Sequence, residues 1–237
     1  VSLIILLLVV GITLSLTVFF PITKINVSGS KIYSAEEIID VLPISSGDNI
    51  LSFSAEKVEA VARNRLPYIK NIEVKRSLDG NLELKITDAK EKTAYETDDG
   101  FYVAGEDGFI LNLYKKKPKK LLLIKGMDAE IAVGEFINFT DDGKNGILSE
   151  LLSYSEKSNI TAIDITDEYS LTVYVDNRLE VYLGTSNNIK EKLSHLNSMV
   201  ETIGKGKEGK IKLLQRMDLP AYSIRIRTQH HAHGQIR

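Results

Sequence analysis

The chain has 237 residues, enough for one large domain or two small ones at ~100–200 residues each. Lys and Arg number 30 against 32 Asp and Glu, a net charge of −2, which argues against a nucleic-acid binder with a basic face. There is no Cys, no Trp and only four His, of which His230, His231 and His233 sit at the extreme C-terminus. Disulfide frameworks, thiol nucleophiles, zinc ribbons and cysteine-ligated clusters are thereby excluded. A His-centred catalytic triad would have to run through His195 or the terminus.

Val1 to Phe20 carries no charge, and its only polar residues are Ser2, Thr13, Ser15 and Thr17. At 1.5 Å per residue this run spans about 30 Å, the hydrocarbon thickness of a bilayer. Pro21 closes it and Lys24 is the first charge. A signal peptide would have a shorter apolar core and a small-residue cleavage site, and no such site precedes Pro21. The expectation is an uncleaved transmembrane helix over residues 1–20. The missing initiator Met adds the expectation of a cytoplasmic leader before Val1.

The next segment, residues 22–89, alternates strand and helix signals. Ile22, Ile25 and Val27 predict a strand ended by Ser28-Gly29-Ser30. Ser34 with Glu37 forms a capping-box pattern, Ala35, Ile38, Ile39 and Leu42 follow at helical spacing, and Pro43 stops the helix. Ile50, Leu51 and Phe53 are expected to tuck beneath the loop that follows. Ser54 is placed to cap a second helix whose apolar stripe is Val58, Val61, Ala62 and Leu66, ended by Pro67. Ile72 and Val74, then Leu82, Leu84 and Ile86, predict two strands joined by the Asp79-Gly80-Asn81 turn. The order is strand, helix, helix, strand, strand.

That order, directly after one apolar helix, resembles the POTRA (polypeptide-transport-associated) module of the FtsQ/DivIB family of bacterial cell-division proteins. The resemblance rests on Ile25-Asn26-Val27-Ser28-Gly29-Ser30, Ser34-Ala35-Glu36-Glu37-Ile38, Gly47-Asp48-Asn49-Ile50-Leu51, Leu66-Pro67-Tyr68-Ile69, and the strand Leu82–Ile86. Residues 90–227 continue it. Glu91–Tyr95 and Gly100–Leu111, with a turn at Asp107-Gly108, are similar to the opening strands of the family's β domain. Leu121–Ile124 with Gly126 resembles the next strand and turn. A helix is predicted over Ile147–Ser158, with Ile147, Leu148, Leu151 and Leu152 on one face, then strands Ile160–Ile165, Leu171–Val175 and Leu179–Leu183. A second helix buries Ile189, Leu193, Leu196, Val200 and Ile203, with His195 at the core boundary. Met217-Asp218-Leu219 and Ser223–Arg227 resemble the closing strands, although Pro220 stands where the family often has Arg.

Motifs that hint at chemistry fail on inspection. Gly204 to Lys210 contains G-x-x-x-x-G-K, but Ile211 replaces the magnesium-binding Ser/Thr and a strand rather than a helix follows. In the Thr140–Gly146 segment, Gly143 and Asn145 would fill the third and fifth ligand positions of a calcium loop and Leu152 the bidentate Glu, so a loop at a helix start is expected. Asp98-Asp99 and Asp141-Asp142 sit beside Gly, as solvated turns do. The tail, 228–237, is expected to be flexible despite its metal-capable histidines. Lys115-Lys116-Lys117-Pro118-Lys119-Lys120 is the one charge block, able to make weak contact with anionic lipid or wall polymer.

The expected fold class is α+β: a single N-terminal transmembrane helix (1–20), a β-α-α-β-β POTRA domain (22–89), and a mostly antiparallel β domain with two helices (90–227). The resemblance implies a non-enzymatic divisome scaffold with no cofactor and no metal, its C-terminal bulk outside the cytoplasm at the division septum. It further implies that the protein binds FtsL-type and FtsB/DivIC-type membrane proteins and regulates septal peptidoglycan synthesis. The partner contact is expected on the last strand, at Tyr222, Ser223, Ile224, Arg225, Ile226 and Arg227. There Tyr222, Ile224 and Ile226 share one parity while the Arg residues share the other. The alternative is a POTRA-type chaperone or secretion module that captures extended polypeptide by β-augmentation. One such unit, with no room for a membrane barrel, favours the scaffold.

Overall fold

The computed structural model describes residues 2–18, 20–155, 158–203, 207–215 and 220–227. Helix α1 (Ser2–Val18) is uncharged throughout, and its side chains from Leu3 to Val10 are 45–68% exposed. It covers 17 residues; among the described residues no helix is long and apolar enough to cross a membrane. The expected span of 1–20 includes Val1 and Phe19, which lie outside the described residues.

The chain divides into two compact units. The first holds Val1–Glu91 with Gly105–Asn112 and Ala132–Phe136; the second holds Lys92–Ala104, Leu113–Ile131 and Ile137–Arg237.

In the first unit the order is β1 (Lys24–Ser28), α2 (Ala35–Val41), α3 (Ala55–Arg65), β2 (Ile69–Arg76) and β3 (Asn81–Asp88). Its three strands lie in the order β1-β3-β2, with β1 parallel to β3 and β2 antiparallel to it. Both cap expectations are met. Ser34 accepts from the Glu37 N–H and Glu37 accepts from the Ser34 N–H, while Ser54 accepts from Lys57. The β2–β3 turn closes through Gly80 N–H to Ser77 O at 3.0 Å, with Gly80 at φ +87. Ile38, Val58 and Ala62 from the helices meet Ile69, Ile72, Leu82, Leu84 and Ile86 from the sheet in one buried cluster. Two expectations need correction. The strand begins at Lys24, so Ile22 reaches the core from the preceding segment. Leu51 does not tuck under the loop but is 51% exposed, because the Asn49 side chain accepts its N–H and turns the chain outward.

The second sheet has nine strands in the order β14-β13-β12-β11-β10-β7-β4-β5-β6. These are β4 (Thr93–Thr97), β5 (Gly100–Ala104), β6 (Ile110–Tyr114), β7 (Leu122–Lys125), β10 (Ile160–Asp164), β11 (Leu171–Val175), β12 (Leu179–Gly184), β13 (Glu208–Gln215) and β14 (Pro220–Arg227). The short pair β8 (Ala129–Glu130) and β9 (Asn138–Phe139) forms a separate ribbon that the sequence pattern did not reveal. The sheet has antiparallel pairs β4–β5, β10–β11, β11–β12 and β13–β14 beside the parallel pairs β4–β7, β7–β10 and β12–β13, so antiparallel pairing prevails as expected, with parallel crossovers that the sequence pattern did not show. The β11–β12 hairpin turns as expected, with Asp176 and Asn177 both at positive φ (54 and 56).

Register aligns Tyr95, Ile124, Ile163, Val173, Val181 and Ile211 in one cross-strand row, each 5% exposed or less. The helices are α4 (Asp142–Ser155) and α5 (Ile189–Ile203), and α4 contacts both α5 and β10. Helix α4 starts five residues earlier than predicted: Asp141 Oδ1 accepts the Lys144 N–H at 3.0 Å, so the Asp-Asp-Gly stretch caps a helix instead of forming a loop. On α5 the buried stripe is Ile189, Leu193, Leu196, Met199 and Ile203, with Met199 in place of Val200. His195 is exposed rather than at the core boundary, because the position before Leu196 turns away from the sheet.

Candidate partner-binding edge

The sequence places its candidate residues on β14, and the sheet order decides what that strand can do. β14 is the terminal strand, paired antiparallel with β13 from Glu208↔Arg227 to Gln215↔Pro220. Its other backbone edge has no strand neighbour among the described residues. Such an edge carries N–H and C=O groups able to pair with an added strand. Pro220, the departure from the family pattern, is the first residue of β14, where a missing N–H interrupts nothing.

The platform under this edge is pinned to the rest of the sheet. Arg178, 14% exposed, donates to the Lys207 carbonyl at 2.8 Å and pairs with Asp176 at 3.1 Å. Lys210 meets Glu180 at 2.7 Å, and the Lys212 ammonium lies 5.3 Å from the Tyr182 ring centre. Register then sets Ser223 opposite Lys212, Arg225 opposite Lys210 and Arg227 opposite Glu208, while Ile224 lies opposite buried Ile211. Lys210, Lys212, Arg225 and Arg227 therefore share a register face with Glu180 and Glu208, four cations to two acids beside the edge that has no strand neighbour among the described residues. Met217-Asp218-Leu219 and the tail 228–237 lie outside the described residues.

The remaining motifs are structural. Gly209 and Lys210 of the phosphate-loop-like stretch lie inside β13, whereas Gly204, Lys205 and Gly206 fall outside the described residues. Asp98 and Asp99 form the exposed β4–β5 turn, and the Asp99 carbonyl accepts from Lys115 at 2.9 Å. Lys116, Lys117, Lys119 and Lys120 are exposed, and none makes an ion pair among the described residues. No group of His, Asp and Glu among the described residues is arranged to hold a metal.

One cluster was not visible in the sequence. Arg63, in the last turn of α3, sets its guanidinium 4.3 Å over the Phe109 ring and 5.4 Å from Phe136, and reaches Asp107 at 2.7 Å. The two rings meet edge-on at 5.0 Å. Burial pushes the Asp107 carboxyl up, but the Arg63 hydrogen bond, the Phe109 N–H and the Arg63 charge outweigh it and hold it below the usual carboxylate value. The only local signal was the Asp107-Gly108 turn; its partner lies 44 residues away.

A module of the order β-α-α-β-β followed by a nine-stranded sheet defines a class, that of POTRA-bearing proteins with a second, β-rich domain. Residues 20–88 match the POTRA domain, FtsQ-type, and residues 94–219 match the cell division protein FtsQ/DivIB C-terminal domain. The chain belongs to the FtsQ/DivIB family of cell-division proteins. It is 25% identical to the cell division protein DivIB of Clostridium acetobutylicum over 187 residues, 77% of this chain and 74% of that one. Against DivIB of Bacillus subtilis it is 26% identical over 205 residues (81% and 72%), and against FtsQ of Anaeromyxobacter sp. 22% over 194 residues (77% and 63%).

Proposed function

We propose that this chain is a non-enzymatic scaffold of the bacterial divisome, held in the cell membrane by residues 1–20 with its POTRA (22–89) and β (90–227) domains outside the cytoplasm at the septum. It binds FtsL-type and FtsB/DivIC-type membrane proteins and through them regulates septal peptidoglycan synthesis. The observation that carries this is β14: a terminal strand with a free backbone edge and a cationic register strip. Added-strand pairing supplies affinity, and the strip at Arg225 and Arg227 selects an acidic segment. The anchor is supported by a run without a single charge, whose side chains from Leu3 to Leu8 are more than half exposed. A 17-residue apolar helix is at the short end of what spans a bilayer, and the apolar run extends beyond it to Phe20.

The test is capture of a detergent-solubilised complex of FtsL-type and FtsB/DivIC-type proteins by the full chain, beside the double variant Arg225→Glu, Arg227→Glu. Capture by the native chain and at least about tenfold weaker capture by the variant are expected, since two reversed charges oppose an acidic strand. No capture, together with hydrolysis of purified peptidoglycan, would overturn the scaffold. Equal capture by both proteins would place the contact elsewhere than β14.

A further inference from the structure

The segment between α1 and β1 is not a free tether. Phe20 O accepts the Ile50 N–H at 2.9 Å, the Ile22 N–H donates to Asp48 O at 2.7 Å, and Ile22 O accepts from Gly47 N–H at 2.8 Å. Pro21 forms a bridge with Asn49, and Ile22 is 1% exposed in the core. From the other side the Thr23 N–H donates to Gly80 O at 2.9 Å and Thr23 Oγ1 donates to Asp79 O at 3.3 Å. Gly80, at φ +87, lies so close that an added Cβ would meet Pro21 O at 2.5 Å. Two loops, 45–52 and 77–80, thus grip the residues that emerge from the apolar helix.

Each gripping loop exposes a leucine. Leu78, at the tip of the β2–β3 turn, is 81% exposed, and Leu51 is 51% exposed. A singly exposed leucine needs no explanation. Both lie on loops bonded to residues 20–23, and Pro21 is three residues past Val18, so it lies within about 10 Å of the helix end at the chain's maximum reach. The polar layer of a bilayer is about 5–7 Å deep on each side of the hydrocarbon core. The two acids beside the leucines are occupied in their own turns. Asp48 accepts the Ser45 N–H at 2.7 Å, and Asp79 accepts from Asn81 Nδ2 at 2.6 Å and from the Asn81 N–H at 3.2 Å.

We infer that Leu51 and Leu78 form an interfacial collar: they insert at the boundary of headgroups and acyl chains around the emerging helix and seat the first unit directly on the outer leaflet at a fixed tilt. The partner is the phospholipid bilayer surface, and the inference rests on the proposed anchor. The β2–β3 turn and the 45–52 loop are then a base, and β1 carries the chain away from the membrane by about 15 Å over its five residues. Ile32, an apolar residue 48% exposed beyond the far end of β1, lies outside the collar.

The absence of native cysteine makes the test clean. Four full-length single-cysteine variants, Leu8→Cys, Leu51→Cys, Leu78→Cys and Ile32→Cys, are labelled with a polarity-sensitive fluorophore and reconstituted in phosphatidylcholine–phosphatidylglycerol vesicles. The vesicles carry nitroxide either at the headgroup or in mid-chain. The Leu51 and Leu78 labels are expected to shift to the blue and to be quenched by headgroup nitroxide, the Leu8 label by mid-chain nitroxide, and the Ile32 label by neither. A Leu8 label quenched in mid-chain with either loop label no more quenched than Ile32 overturns the collar and leaves the anchor standing. An unquenched Leu8 label overturns both.

Discussion

Replacing Arg63 by Ala removes a cation that is 16% exposed and contacts three partners at once. Its bond to Asp107, a charge-assisted contact at 2.7 Å, would be worth about 1.5–3 kcal/mol if fully buried. Asp107 is 35% exposed, and solvent screening brings this nearer to about 1 kcal/mol. The stack on Phe109 at 4.3 Å, shielded from water, adds about 1 kcal/mol. The Arg63 Nε is buried with no hydrogen-bond partner, which offsets a little of this. Arg63→Ala is therefore expected to destabilise the first unit by about 2 kcal/mol, and Arg63→Lys, which keeps charge but loses the planar stack, by about half as much. Urea titration of the full chain in detergent, followed by tyrosine fluorescence, reads both. The acid limb gives an independent check. Because the folded Asp107 carboxyl lies below its ordinary 3.8, its contribution is fully present above that value and is lost as pH falls through the lower folded value. The Ala variant should lack most of that loss. A change under about 0.5 kcal/mol for Arg63→Ala, within the scatter of surface substitutions, would refute the assignment. So would acid limbs that run parallel in both proteins.

Gly126→Ala would set a Cβ 2.2 Å from the backbone of Thr166 at φ +76, and a loss of about 3 kcal/mol or more is expected in thermal unfolding by circular dichroism; an unchanged midpoint would show that the β7 turn can shift. Ser54→Ala removes the α3 cap and should cost about 1 kcal/mol, while Ser54→Asp should restore it. Burial, opposed by a hydrogen bond from Thr93, raises the Tyr95 phenol above its ordinary 10.0. The half-buried Tyr33 is raised too, so ultraviolet titration should show two late phenolates, one of which Tyr95→Phe abolishes. Stability from this group is present below the ordinary value and is lost as pH rises through the folded one. Replacing the five Lys of the 115–120 block by Ser should reduce salt-sensitive binding to anionic vesicles, and unchanged binding at low salt would end that idea.

The first unit was legible because its signals are local. Ser34 with Glu37, Ser54 with Lys57, and the Asp79-Gly80-Asn81 turn are contacts across two or three residues, and each appears in the structure where its spacing placed it. Local signals also misled. Gly143 and Gly146 suggested a loop, yet they lie inside α4, because burial of Leu148 and Leu151 outweighs the low helix propensity of glycine.

The length, charge balance and missing Cys and Trp, the uncharged run before Pro21, and the caps and turns were all determined by the sequence alone. They are properties of composition or of neighbours along the chain. Tertiary structure decided the mixed order of the nine strands, the meeting of Arg63 with Asp107, and the position of β14 at the sheet's end. Which strands become neighbours depends on contacts between distant segments, and parity along a strand does not encode them. Whether the strand that holds Tyr222 and Arg227 lies inside the sheet or at its end among the described residues therefore follows only from the folded sheet.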